Sequence, residues 1–184
     1  MGQGYDNESA KDLDEADKAP YADKGKHDIY LIVMNDSDEF ITSLRYTARL
    51  AAANDAYVGI LNTMDEQEFQ HWQNVENMMR KEIRDKAEKQ AWSMARKVNE
   101  LNGQIPVIYI HDGSPEDAVL SAIENDRNIK LLVLTGSPGS GGPGALVNHF
   151  TSKGLARLKV PMVIVPGNIQ GHEIDALFHI DATE

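Results

Sequence analysis

The chain contains no cysteine. That removes disulfides, thiolate nucleophiles and Cys-based zinc sites from consideration, and it fits a reducing compartment. The cytoplasm is the expected location. No apolar run approaches the roughly 18 residues that a membrane-spanning helix needs. The first residues lack the apolar core of a secretory signal. Positive charge is scarce: 18 Lys and Arg stand against 29 Asp and Glu, a formal net charge of −11. Such a field repels nucleic acid and anionic membrane at long range, so neither is an expected partner. The scarcity has a local form too, since residues 135–150 hold no lysine or arginine at all.

What is present reads as one domain with extensions. The 184 residues suit a single domain plus extra segments. Residues 1–25 carry Asp6, Glu8, Asp12, Asp14, Glu15, Asp17 and Asp23 against Lys11, Lys18 and Lys24. Few large apolar residues are there to offset the entropy of ordering, so a flexible acidic N-terminal extension is expected. An α/β domain follows over 26–167, and a C-terminal extension over 168–184.

Within the domain, short β-branched runs alternate with helical periods. Strands are expected at 29–34, 57–61, 105–110, 129–134 and 161–165. The cluster Asn35-Asp36-Ser37-Asp38 is suited to capping the helix whose apolar face is Phe40, Ile41, Leu44, Ala48 and Ala51. The strongest period runs from Glu66 to Leu101, with Val75, Met79, Ile83, Ala87, Ala91, Met94, Val98 and Leu101 on one stripe and Asn102-Gly103 as its stop. His111-Asp112-Gly113 reads as a turn. Ser114-Pro115-Glu116-Asp117 opens the next helix with a cap, a proline at the first position and acids in the first turn. A last helix is expected over 145–158. Alternation of this kind predicts a single doubly wound, five-stranded parallel sheet, Rossmann-like, with helices on both faces. Ligands of such sheets bind beyond the carboxyl ends of the strands, where the strand order reverses.

Two candidate features fall at such ends, Asn35 after the first strand and the glycine tract 136–144 after the fourth. Glycines at 136, 139 and 141 allow close approach of backbone, and successive N–H groups can form an anion nest. Thr135, Ser137 and Ser140 add hydroxyl groups. A mobile bridge between strand and helix explains the same composition, and both readings stay open. The Gly-x4-Gly-Lys-Ser/Thr phosphate loop is absent. Residues 139–144 do spell Gly-x-Gly-x-x-Gly, but they follow the fourth strand rather than opening the domain, and no acid ends the fifth strand to hold a ribose.

At this point the chain resembles the universal stress protein family over about residues 27 to 166. The likeness is carried by Asn35-Asp36-Ser37 with Ser43-Leu44-Arg45-Tyr46-Thr47-Ala48-Arg49-Leu50-Ala51, and by Gly113-Ser114-Pro115-Glu116-Asp117-Ala118-Val119-Leu120. It continues in Leu131-Leu132-Val133-Leu134 leading into Gly136-Ser137-Pro138-Gly139, and in Val160-Pro161-Met162-Val163-Ile164-Val165. The resemblance implies an adenine-nucleotide α-hydrolase-like fold, a homodimer through the last strand and a regulatory module of the stress response. It also implies ATP, with Mg²⁺, as the ligand, since some members bind ATP while others do not. The binders carry an Asp at the end of the first strand, where this chain has Asn35. They also carry Gly-x-x-Gly, matched by Gly136 and Gly139, and further on a Gly-Ser or Gly-Thr pair, where this chain has Asn148-His149. A protonated His149 would meet a phosphate in place of that pair. The implied binding set is Asn35, Thr135, Gly136, Ser137, Gly139, Ser140, Gly141, Asn148 and His149. The alternative function is an interaction module of the same fold, without nucleotide and with an unknown protein partner; further off stands a nucleotide-cleaving enzyme.

The remaining chemistry is sparse. None of the six histidines has zinc-hydrolase spacing, and His172 and His179 lie in an acidic tail that reads as solvated charge, so no metal site is expected. Ser137 lacks an esterase elbow, and no nucleophile stands with a base, so no catalytic residues are assigned. Ile169, Ile174, Leu177, Phe178 and Ile180 are expected to pack over a neighbouring surface, sealing a dimer built on the fifth strand.

Overall fold

The computed structural model describes residues 27–35, 37–64 and 76–180. The acidic extension and the first part of the 66–101 segment lie outside the described residues. Strand β1 (Ile29–Val33) is followed by helix α1 (Asp38–Ala53), β2 (Tyr57–Met64) and the long helix α2 (Glu76–Asn102). Then come β3 (Val107–Asp112), α3 (Pro115–Asn125), β4 (Ile129–Gly136), the short α4 (Ala145–Phe150), β5 (Met162–Pro166) and α5 (Gly171–Leu177).

The five strands form one parallel sheet in the order β3-β2-β1-β4-β5. Its strands are apolar because both faces are covered. Along β1, Ile29, Leu31 and Val33 join Leu132 and Leu134 of β4 beneath α3 and α4, with Val119, Ile123 and Phe150 filling the layer. Ile32 and Val133 belong to the opposite face, under Phe40, Leu44, Ala48 and Ala51 of α1 and Val98 of α2. On α2 the expected stripe is buried at Ala91 and Val98, while Trp92 is 59% exposed.

Some boundaries move for local reasons. β3 begins at Val107, not Ile105, since Pro106 has no N–H to give the ladder and Ile105 is exposed. The strand therefore runs two residues further. His111 and Asp112 pair with Thr63 and Met64 instead of turning, and the turn falls at Gly113, with φ at 103°. The helix expected over 145–158 ends at Phe150. Thr151 and Ser152 donate their hydroxyls back to the carbonyls of Val147 and Asn148, and a 3₁₀ turn, Leu155–Arg157, follows Gly154. Ser37 does take the cap position of α1, but its side chain makes no cap bond. Ser114 caps α3 as expected, accepting from the Asp117 N–H at 3.2 Å.

Helix α5 was not foreseen. It starts with a capping box, in which the Gln170 N–H donates to Glu173 at 2.7 Å. Ile174 is fully buried, and Asp175, 5% exposed, receives the guanidinium groups of Arg45 and Arg49 on α1. Arg49 also donates to the Leu101 carbonyl at the end of α2, so three helices meet at one side chain. Phe178 lies 5.6 Å from the Tyr46 ring. The apolar residues of this tail thus divide. Ile174, Ile169 and Phe178 pack on their own chain, while Leu177 and Ile180 remain exposed.

Candidate functional site

The strand order reverses between β1 and β4: the chain moves from β1 outward to β3, then returns to build β4 and β5 on the other side. At such a point the two connecting segments diverge and leave a crevice. Here the crevice is a cavity of about 210 Å³ lined by Val33, Asn35, Leu134, Thr135 and the first residues of α4, Gly144 to Val147. Val33, Leu134 and Val147 make its floor apolar. Thr135 is also on the lining, and its Oγ1, sealed from solvent, has no hydrogen-bond partner. Asn35 is exposed, and its Oδ1 accepts from both the N–H and the hydroxyl of Ser37, at 3.1 and 2.8 Å.

Asn35, just past the end of β1, and Thr135 of the neighbouring β4 therefore line one hollow. The glycine tract lies over the same end of the sheet. Gly136 closes β4: a methyl there would meet Ile164 at 3.1 Å, and its carbonyl accepts from Gly167 at 2.7 Å. Its smallness thus serves the β4–β5 packing. Ser137, Gly139, Ser140 and Gly141 are exposed in the loop. The loop partly satisfies itself. The Ser137 N–H donates to Pro143, the Gly142 N–H to Gly139 and the Gly139 N–H to Ser137 Oγ, at 3.2, 3.3 and 3.4 Å. Gly142 and Gly144 have φ of 91° and 102°, values that favour glycine.

The two α4 residues part ways. Asn148 is exposed and near Gly142. His149 packs edge-on against Phe150 at 4.9 Å and lies tight against Gly154, with its Nε2 buried and unpartnered. The hollow's walls, Val33, Leu134 and Gly144 to Val147, were not in the expected set. Their only signal in the sequence was position, one at each strand end and four at a helix start. His111 and Asp112 lie on β3, which β2 separates from β1. In the acidic tail, Asp175 is taken by two arginines, which leaves it no free carboxylate for a metal.

The charge of the site is low. Among the described residues no lysine or arginine lines the cavity. Glu39, in the first turn of α1, packs against Gly167 beside the end of β4. Hydrogen bonds from its own backbone N–H and from Ser37 hold its carboxyl below the usual range, so it is ionised at neutral pH. For an adenine nucleotide, the apolar floor fits a base. Among the described residues the lining offers magnesium triphosphate no cation, and position 35 offers it no carboxylate.

These features define a doubly wound α/β protein with its cavity at the switch point of the sheet. The chain belongs to the universal stress protein family, whose model matches residues 28–166. No curated protein matches it significantly. Among solved structures it is similar to the universal stress protein UspA from Lactobacillus plantarum, with 12% identity over 76% of this chain and 98% of that one, at a TM-score of 0.56. It is also similar to a universal stress protein in complex with cAMP, with 16% identity, 76% and 97% coverage and a TM-score of 0.53. A third likeness is the universal stress protein from Archaeoglobus fulgidus in complex with dAMP, with 11% identity, 76% and 97% coverage and a TM-score of 0.50. Helix α5 begins beyond the family match.

Proposed function

We propose that this chain is a regulatory module of the stress response that binds an adenine nucleotide in the hollow between β1 and β4. The observation that carries the reading is the cavity at the switch point, lined by Asn35, Thr135 and the start of α4. Beside it the Thr135 hydroxyl is buried without a partner, at a cost of about 1–3 kcal/mol, which a ligand that reaches the hydroxyl would remove. Two similar proteins, solved with cAMP and with dAMP, lend the ligand class. ATP with Mg²⁺ is the fuller form of the expectation, and it has the least support from the charge of the site. The module responds to ligand without turning it over: among the described residues no nucleophile stands beside a base at the cavity. Its cysteine-free composition suits the cytoplasm.

The module works as a homodimer through β5. That strand is at the edge of the sheet, Ile164 on it is 38% exposed, and a second copy covers an edge that is otherwise open to stray pairing. The second reading, a nucleotide-free interaction module, draws on Asn35, whose side-chain oxygen is already used by Ser37. Mass spectrometry of small molecules released from freshly purified, denatured protein separates the two, together with calorimetric titration by adenine nucleotides. Co-purifying adenine compound, or saturable heat, supports the first. No release and no heat at millimolar nucleotide leaves the second.

A further inference from the structure

We infer that the C-terminal extension is a strap: helix α5, clasped to α1 through Asp175, holds the two walls of the switch-point hollow together, and its release lets them part. Its bearing on function rests on the reading of that hollow as the site, while the strap itself is independent of the ligand.

The strap has its root beside the hollow. β5 ends at Pro166, which pairs with Gly136 at the end of β4. The next residue, Gly167, donates its N–H to the Gly136 carbonyl at 2.7 Å. The Glu39 side chain, from the first turn of α1, lies so close to Gly167 that a methyl there would collide with it. The same methyl would stand 2.9 Å from the Gly136 carbonyl. Gly167 is thus the point where the end of β4 meets the start of α1. One wall of the hollow, Leu134 and Thr135, runs into Gly136. The other, Val33 and Asn35, leads to α1, and Asn35 accepts from Ser37 at its N-cap.

The clasp lies further along α1. Past the root, Ile169 packs into the layer of Phe40 and Leu44, and Gly171 lies against the Arg45 guanidinium. Asp175 then accepts from the Nε–H groups of Arg45 and Arg49, each at 3.0 Å, and Ile174 beside it is fully buried. Without that carboxylate, two guanidinium groups would face each other with nothing between them. Helix α5 spans seven residues, well short of the roughly 12–15 at which an isolated helix begins to persist. Its order therefore depends on the clasp. Helix, clasp and root open as one cooperative unit of lower stability than the sheet.

The test is amide hydrogen exchange of the full chain, read by NMR. Four hydrogen-bonded amides report: Phe40 and Gly167 at the root, Ile174 and Phe178 on α5. In the native chain under graded, sub-denaturing urea, all four are expected to share one opening free energy, below that of β1. Asp175→Asn is expected to speed exchange at Phe40 and Gly167 at least tenfold, with β2 and β3 unchanged. Gly167→Ala, at the other end, is expected to speed Ile174 and Phe178 while β2 and β3 again hold. Faster exchange on α5 alone in Asp175→Asn overturns the strap, because α5 would then be a separate cap. An equal rise across the whole sheet overturns it too, since the loss would be global. Should Asp175→Asn not fold, the urea series on the native chain decides: separate openings for root and α5 overturn the strap. The adenine reading has its own test in calorimetry and stands or falls apart from these outcomes.

Discussion

Replacing Thr135 by valine separates a site hydroxyl from a structural one. Thr135 Oγ1 is buried with no partner, and an unpaired buried hydroxyl costs about 1–3 kcal/mol. Valine keeps the branched shape that a strand accepts and replaces the hydroxyl with a methyl group. Taking the low end, because Thr135 as a whole is only half-buried, the ligand-free variant should gain about 1 kcal/mol. For a domain of this size that raises the thermal midpoint by roughly 2–4 °C. Nucleotide affinity should move the other way. One lost neutral hydrogen bond is about 1 kcal/mol, or roughly a fivefold weaker Kd. Ser43→Ala is the control, since Ser43 Oγ is equally buried and unpartnered but lies in α1, off the hollow. It should stabilise without changing affinity. Scanning calorimetry and isothermal titration read the two quantities. A midpoint that falls by 2 °C or more in Thr135→Val would mean that the hydroxyl already has a partner, and unchanged affinity would mean that no ligand uses it.

Three other outcomes follow from the geometry. The Asp175 carboxyl is held below its usual range, chiefly by the hydrogen bond from Arg45 and also by Arg49, against the opposing effect of burial. Its contribution is therefore complete above the unfolded value near 4 and is lost as pH falls through the lower folded value. Asp175→Asn should cost about 2 kcal/mol at pH 7, less than for a fully buried pair because Arg45 is partly exposed. It should also flatten the acid limb of the stability curve measured by denaturation. Gly154→Ala drives a methyl into the His149 ring and should cost about 1–3 kcal/mol by the same assay, although its backbone tolerates alanine. Ile164→Lys on the edge strand should weaken self-association in sedimentation velocity; an unchanged dimer would remove β5 from the interface.

The parts that sequence made legible were those set by local pattern. The run Ile29 to Val33 has no polar alternation, which is what a strand covered on both faces requires, and the structure buries it on both faces. Ser114-Pro115 announces a helix start, and a helix starts there. Asn35 and Thr135 were recognisable as strand-end residues, and strand order brings them to one cavity. Helix α5 was not legible, since it spans seven residues and is fixed by arginines 126 and 130 positions away. Nor did glycine content reveal that the loop spends half its N–H groups on itself, because hydrogen-bond partners are chosen by the folded path. The sequence position of His149 does not fix its ring, which lies tight against Gly154 in the folded chain.

The most direct test of the central claim is an amide NMR titration of the full chain with AMP. Progressive shifts concentrated at Asn35, Thr135 and Gly144 to Val147 are predicted, with smaller ones at Ser140 and Gly141. A saturable titration whose shifts lie elsewhere, or a spectrum unchanged at millimolar AMP, would contradict it.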